Sequence, residues 1–527
     1  MRAFVYGNPI YRALLNRRPC PEKFLLPPGD SWPGNAAAGQ KLLGVQSGLF
    51  EYESGEIRPV WNRKEILSHS WLRDLRAVGT EAAKKKALTL IEKWLAQHDS
   101  WHEESWAPGV LGERLANWIR FYDFYCATAD PDFSARLISS AARQWFHLSR
   151  CLRRDLMGEE GLCAIKGIIT AGLALAKNDQ VIDTAVETLK RLLFAEILSD
   201  GGHISRNPYL QFQVLRHLID IRSVMAAAKY DVPHELATAI ERMVPALKLF
   251  RHGDGGLALF NGSSEGSPLE IDAALTLSGA RGRVLRRLPH TGYERLTAGR
   301  SLLLVDVGTP PPRPYDRTAH AGLLSFEFSV GKERLIVNCG TGPENDSEWR
   351  MAMASTAAHS TLNLRDTNAC EILPDGGIGH RPKRISAQRY EQDGAHYVEA
   401  EHNGYESKFR VIHYRALCLA SEGTELHGRE VLSGPPGKDF AVRWHLHPSV
   451  QASLGRGGQT ALLRLPSGNG WRLRVNNSNH IGGLSLEPSV YGGGLPLRRS
   501  LQIKVSGRTQ EDPAVVSWLL AREKKDE

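Results

Sequence analysis

The sequence predicts an α+β multidomain protein, an amino-terminal ring of helix hairpins followed by a carboxy-terminal antiparallel β-sandwich. Two observations carry this expectation. Up to about residue 285, apolar residues recur at three- and four-residue steps. From about residue 298, short runs punctuated by Gly, Pro, Asn and Asp take over. The 527 residues suffice for several domains of about 150 residues each. We place the helical domain at 1–290, with an irregular start, and the sandwich at 291–527.

The helical segments come in order. Between Gly112 and Ala127, Leu115, Trp118, Ile119, Tyr122 and Tyr125 form one apolar face. The stretches 135–152, 163–176, 181–198, 210–229 and 233–250 read the same way. Short polar loops between them favour antiparallel hairpins. Each hairpin needs a neighbour on both sides and no fixed repeat is present, so a closed ring is expected over a solenoid. The strand candidates are 300–306, 323–330, 334–338, 360–364, 396–401, 409–419, 425–432, 441–447, 461–465, 471–475 and 501–505. Four prolines between Gly308 and Asp316 predict a stiff loop. Gly455–Gly458 and Gly492–Gly494 read as hairpin tips, and residues 522–527 as a fraying end.

Composition narrows the partners. The chain is 42% hydrophobic and 24% charged, with a net charge of +8, which favours acidic partners. No basic stripe interleaves with aromatic residues, so nucleic acid is not expected. Seven scattered cysteines without a CxxC argue against a disulfide framework and a zinc knuckle. No run of about 18 apolar residues predicts a membrane span. The start, Met1 to Tyr6, lacks the apolar core of a signal peptide. The expected location is the cytoplasm, with the periplasm as the alternative.

Four segments concentrate polar, reactive side chains: Asp200–Asn207, Arg251–Gly262, Asp316–Glu327 with Val337–Gly342, and Arg350–Asn363. The first is the most informative. Gly201 and Gly202 break a long helical pattern, Pro208 suits the next helix start, and His203, Arg206 and Asn207 lie on the loop between. His445 and His447 alternate along a strand; their expected role is structural.

At these segments the chain resembles the heparinase II/III-like family of polysaccharide lyases. The likeness is most specific in His320–Glu327, in the Ile336–Gly342 turn and in Ser355–Thr361. The segment Trp71–Ala77 resembles a bacterial branch of that family. The resemblance implies an (α/α) toroid followed by an antiparallel β-sandwich, and β-elimination of uronic-acid-containing glycans. Such chemistry must neutralise the uronate carboxylate, remove the C5 proton and protonate the leaving O4. By the resemblance, His203 and Asn207 neutralise the carboxylate. Arg206 is a candidate bidentate clamp. His320 and His359 are expected to line the opposite wall, with Asn261, Glu265 and Arg350 as further substrate contacts.

The departures from the family pattern matter. Its Asp-His-x-His-x-Asp run reads Arg317-Thr318-Ala319-His320-Ala321-Gly322 here, so Thr318 stands where a catalytic His is expected. The turn whose Asp can bind zinc carries Asn338. His320 and His359 remain as a candidate zinc pair, with Cys339 as a third ligand. No tyrosine matches the family's catalytic one; Tyr209 and Tyr293 are the nearest, and Tyr293 reads as a packing residue. The leading expectation is a carbon–oxygen lyase acting on an acidic polysaccharide or oligosaccharide. The first rival is a non-catalytic glycan-binding or assembly protein on a lyase scaffold. The second is a helical-toroid glycoside hydrolase using Asp254 and Glu265.

Overall fold

The computed structural model describes residues 6–16, 23–25, 29–45, 61–126, 129–152, 156–175, 179–343, 346–476, 481–494, 496–511 and 513–523. Residues 1–5, Cys20 and the final four residues lie outside the described residues. The chain divides into two compact units. The first comprises 1–196, 213–241 and 273–280; the second comprises 197–212, 242–272 and 281–527.

The first unit is helical. Its helices include Ala36–Gly44, Trp71–Val78, Glu81–His98, Pro108–Arg120, Pro131–Cys151, Gly158–Leu175 and Asp179–Glu196. Local chemistry sets their starts. The Thr80 hydroxyl accepts from Ala83 N, and Asp130 caps a helix whose first residue is Pro131. The apolar faces converge on buried Trp71, Trp94 and Trp118. Helices Pro108–Arg120 and Gly158–Leu175 approach so closely that only glycine fits. A Cβ on Gly112 would lie 2.2 Å from the Cys163 carbonyl, and one on Gly167 would lie 2.3 Å from Gly112 Cα. Among the described residues no helix is long and apolar enough to cross a membrane.

The second unit carries two antiparallel sheets. In the first, strands run in the order 287–288, 293–298, 301–306, 326–330, 333–337, 439–446, 498–508, 481–491, with 362–364 also pairing to 439–446. The order in the second is 451–454, 460–464, 470–475, 514–522, 425–433, 412–419, 395–402, 385–392. Alternate residues of both sheets form one core. Phe326 of the first sheet stacks on Trp518 of the second at 5.7 Å between ring centroids, and Trp444 meets Trp518 edge-on. A buried ion pair ties the layers: Arg415 holds Glu430 on its own sheet and donates to the Leu324 and Ser360 carbonyls. The helices and strands expected from periodicity are present, with ends shifted by a few residues. Helix Glu81–His98 and strands 385–392, 481–491 and 514–522 were not anticipated. The fold is a helical amino-terminal region followed by a β-sandwich.

Candidate functional site

Every residue singled out from sequence as catalytic or substrate-binding lies in the second unit. The 200–207 loop is built by its two glycines. Gly201 has φ of +83°, and a Cβ there would lie 2.1 Å from the Arg242 carbonyl. One on Gly202 would overlap Thr291 Oγ1 at 1.8 Å. Asp200 fixes the loop by accepting from the Thr291 backbone and hydroxyl. Gln211 closes it, accepting from His203 N and donating to the Gly201 carbonyl.

Within this loop His203 is fully buried and its tautomer is set. Nδ1 lies 3.2 Å from Ser205 N and 2.7 Å from Ser205 Oγ. A backbone N–H only donates, so Nδ1 accepts and Nε2 carries the proton. Asn207 caps the following helix through Oδ1, which accepts from Tyr209 N and Leu210 N. One Nδ2 hydrogen goes to the Asn261 carbonyl at 2.9 Å. The second makes no hydrogen bond among the described residues.

Arg206 has a different place from the clamp the sequence suggested. Its guanidinium is buried, ion-paired with Asp306, and donates to the carbonyls of Thr291, Gly292 and Thr309. It also lies over the Tyr293 ring. All three of its guanidinium nitrogens are engaged inside the protein, so it is a scaffold for the loop. Tyr293 is likewise internal: its hydroxyl donates to the Arg206 carbonyl at 2.6 Å, and burial pushes the phenol far above its usual range.

Asn261 is the hub of the site. Its Oδ1 accepts from His320 N at 3.2 Å, its Nδ2 donates to Tyr293 Oη at 2.8 Å, and its carbonyl takes Asn207. Asn261 and Arg206 both hold positive φ, +51° and +58°, a strained state that persists where surroundings over-determine it. With its amide so committed, Asn261 joins the 200–207 loop to His320. Glu265 turns elsewhere, accepting from Tyr491 Oη at 2.5 Å and pairing with Arg498. Arg350 donates to the Pro374 carbonyl. A Cβ on Gly376 would meet both the Arg317 carbonyl and Arg350 Nη1, so Arg350 borders the loop that carries His320. Arg317 is exposed and forms no ion pair among the described residues.

His320 and His359 meet at 3.0 Å, Nδ1 to Nε2, with rings nearly perpendicular. His359 Nδ1 lies 2.7 Å from the Ser355 carbonyl. Among the described residues no third His, Cys, Asp or Glu closes around the pair. Cys339 turns to His445 Nδ1, and the Asn338 amide oxygen accepts from Ser360 N. Zinc sites take three or four protein ligands, so the pair does not fit one. A trio of ligand types does meet in the helical unit, at Glu113, Cys163 and His217. There Lys166 Nζ lies 2.5 Å from Glu113 and 3.1 Å from His217, so its ammonium takes the place of a cation.

The remaining motif residues form a buried lattice. Glu327 accepts from His252, Leu259 N and Asn338 N. Asp254 pairs with Arg334 at 2.7 Å. Burial raises the Asp254 carboxyl, but Arg334 more than offsets it and leaves the group at about 2. A carboxyl so held is no general acid near neutral pH, which counts against the hydrolase expectation. Sequence reasoning passed over Tyr315. Its half-buried ring stands edge-on to His203, 6.4 Å between centroids. Only its place in a proline-rich loop hid it.

Burial lowers His359 to about 4 although the Ser355 carbonyl raises it, and burial lowers His445 to about 3. The folded protein keeps both neutral, while the unfolded chain protonates them near 6.5. Between these values the unfolded state binds the extra protons, so stability falls as pH drops below 6.5. Each ring costs roughly 2 kcal/mol by about pH 5. Calorimetric melts from pH 7.5 to 5 should show this loss, and His445→Gln should flatten it.

Comparison with known proteins agrees with this architecture. Residues 280–519 match the family described as heparinase II/III-like, C-terminal. FtsZ-localized protein C of Caulobacter vibrioides (strain NA1000 / CB15N) is 30% identical over 96% of this chain and 91% of its own. The crystal structure of heparinase III superposes with a TM-score of 0.75 at 12% identity, over 99% of this chain and 90% of that one. A heparan sulfate lyase from Pedobacter heparinus gives 0.61 at 13% identity, over 97% and 86%. The chain belongs to the heparinase II/III-like family.

Proposed function

We propose that the protein is a carbon–oxygen lyase that cleaves an acidic, uronic-acid-containing polysaccharide or oligosaccharide by β-elimination. The observation that carries this reading is one hydrogen-bonded cluster, in which Asn261 joins Asn207 of the 200–207 loop to His320. His203 would give its Nε2 proton, and Asn207 its second Nδ2 hydrogen, to the uronate carboxylate. Charge developing at C5 then delocalises into a neutralised group. Arg317 and Arg350 supply a basic approach for the acidic chain. Tyr315, beside His203, is the proton donor we assign to the leaving O4. No step uses a metal.

A second reading is favoured by two observations. Thr318 stands exposed at the family's catalytic-histidine position, and a relative that matches nearly the whole chain is named for localisation with FtsZ. On that reading the chain is a non-catalytic glycan-binding or assembly protein on a lyase scaffold. An ultraviolet assay for the conjugated unsaturated product separates the two. Purified protein is tested on heparin, heparan sulfate, alginate, hyaluronate and bacterial acidic capsule. Rising absorbance on one of them supports elimination. Binding with a flat trace on all of them supports the non-catalytic reading.

A further inference from the structure

His359 Nδ1 faces the Ser355 carbonyl, which can only accept, so Nδ1 carries the ring proton. In the neutral ring its Nε2 is then a bare acceptor. His320 Nδ1 lies 3.0 Å from that acceptor and must donate to it. His320 is left with an unprotonated Nε2. That atom makes no hydrogen bond among the described residues, and Gly262 keeps the space before it open, since a Cβ there would sit 3.5 Å from it. His359 is held in turn by Gly322, whose Cβ would lie 2.5 Å from His359 Cδ2. Ser355, His359 and His320 thus form a relay with one outcome. His203 offers a donor and His320 an acceptor, and both hang on the same hub through Arg206–Asn207 and Asn261.

Resting on the lyase reading above, we infer that His320 Nε2 is the base that removes the C5 proton, and that His359 is the positioning residue that fixes its tautomer. The C5–H bond breaks and its proton goes to Nε2. The freed pair forms the C4–C5 double bond, and the C4–O4 bond breaks. O4 leaves with that bonding pair and takes the Tyr315 proton. Water then accepts the proton from His320 and restores the one on Tyr315. The role differs from the metal-ligand role that the family pattern gives this histidine.

Two measurements on the full chain test the inference. The first is long-range nitrogen–proton correlation on protein labelled with ¹⁵N-histidine, with His320 assigned by the signals lost in His320→Gln. Nε2 should appear unprotonated and Nδ1 protonated; the reverse overturns the relay. In the second, His320→Ala should lose about 10²–10⁴-fold in kcat on the cleaved glycan, with glycan affinity within about twofold of wild type. Added imidazole should restore turnover in a dose-dependent way. His359→Leu should lower kcat with KM unchanged. An active wild type with His320→Ala equally active overturns the base role alone. Loss of activity together with loss of binding, without imidazole rescue, overturns it as well. A wild type inactive on every glycan, with the expected tautomer, overturns the base role and the lyase reading but leaves the relay standing.

Discussion

Arg206→Met lowers stability by about 3–5 kcal/mol, read from the midpoint of chemical denaturation. The loss comes from what the substitution leaves behind. Asp306 is buried and its charge partner is gone, and three backbone carbonyls lose their donors. Removing one member of such a pair strands a charge in a medium that cannot solvate it. Asp306→Asn added to Arg206→Met should recover part of the loss, because the stranded charge is then removed. A substrate clamp would behave differently: Arg206→Met would leave the melt unchanged and raise KM. That result would return Arg206 to the role suggested by sequence.

The second large effect falls on turnover. His203→Ala should reduce kcat/KM on the cleaved glycan by about 10²–10³-fold, the usual cost of removing one donor aimed at developing charge. His203→Gln, which still offers an N–H, should retain more of the rate than alanine. Equal loss in both variants, with lowered melting temperatures, would make His203 a packing residue. The ring's burial makes that comparison necessary, since alanine also opens a cavity.

Much of the architecture was legible because its signals are local. The 200–207 loop announced itself through paired glycines between two apolar periodicities, and the structure shows why those glycines are required: Arg242 and Thr291 fill the space a side chain would take. Strands with alternating apolar residues, such as 425–433 with burial on every second position, were visible for the same reason. Strand 385–392 was not, because it is an edge strand with hardly any buried side chain and carries no apolar period. Strand 481–491 was hidden by two glycines and a proline near a register shift. The site shows the same division. His203, Asn207, His320 and His359 were found as residue types in motifs. The internal role of Arg206 and the hub role of Asn261 depend on partners more than 30 positions away, which no local pattern encodes. Tyr315 is brought to His203 by the tertiary path of its loop.

The central claim is that this cluster breaks a glycosidic bond by elimination. Its most direct test is the product masses from a uronate oligosaccharide of defined length, incubated with the protein and analysed by mass spectrometry. Elimination adds no water, so the account predicts fragments whose masses sum to the parent, one of them carrying the unsaturated ring. Fragments summing to the parent plus one water, or an intact parent recovered from the bound complex, would contradict it.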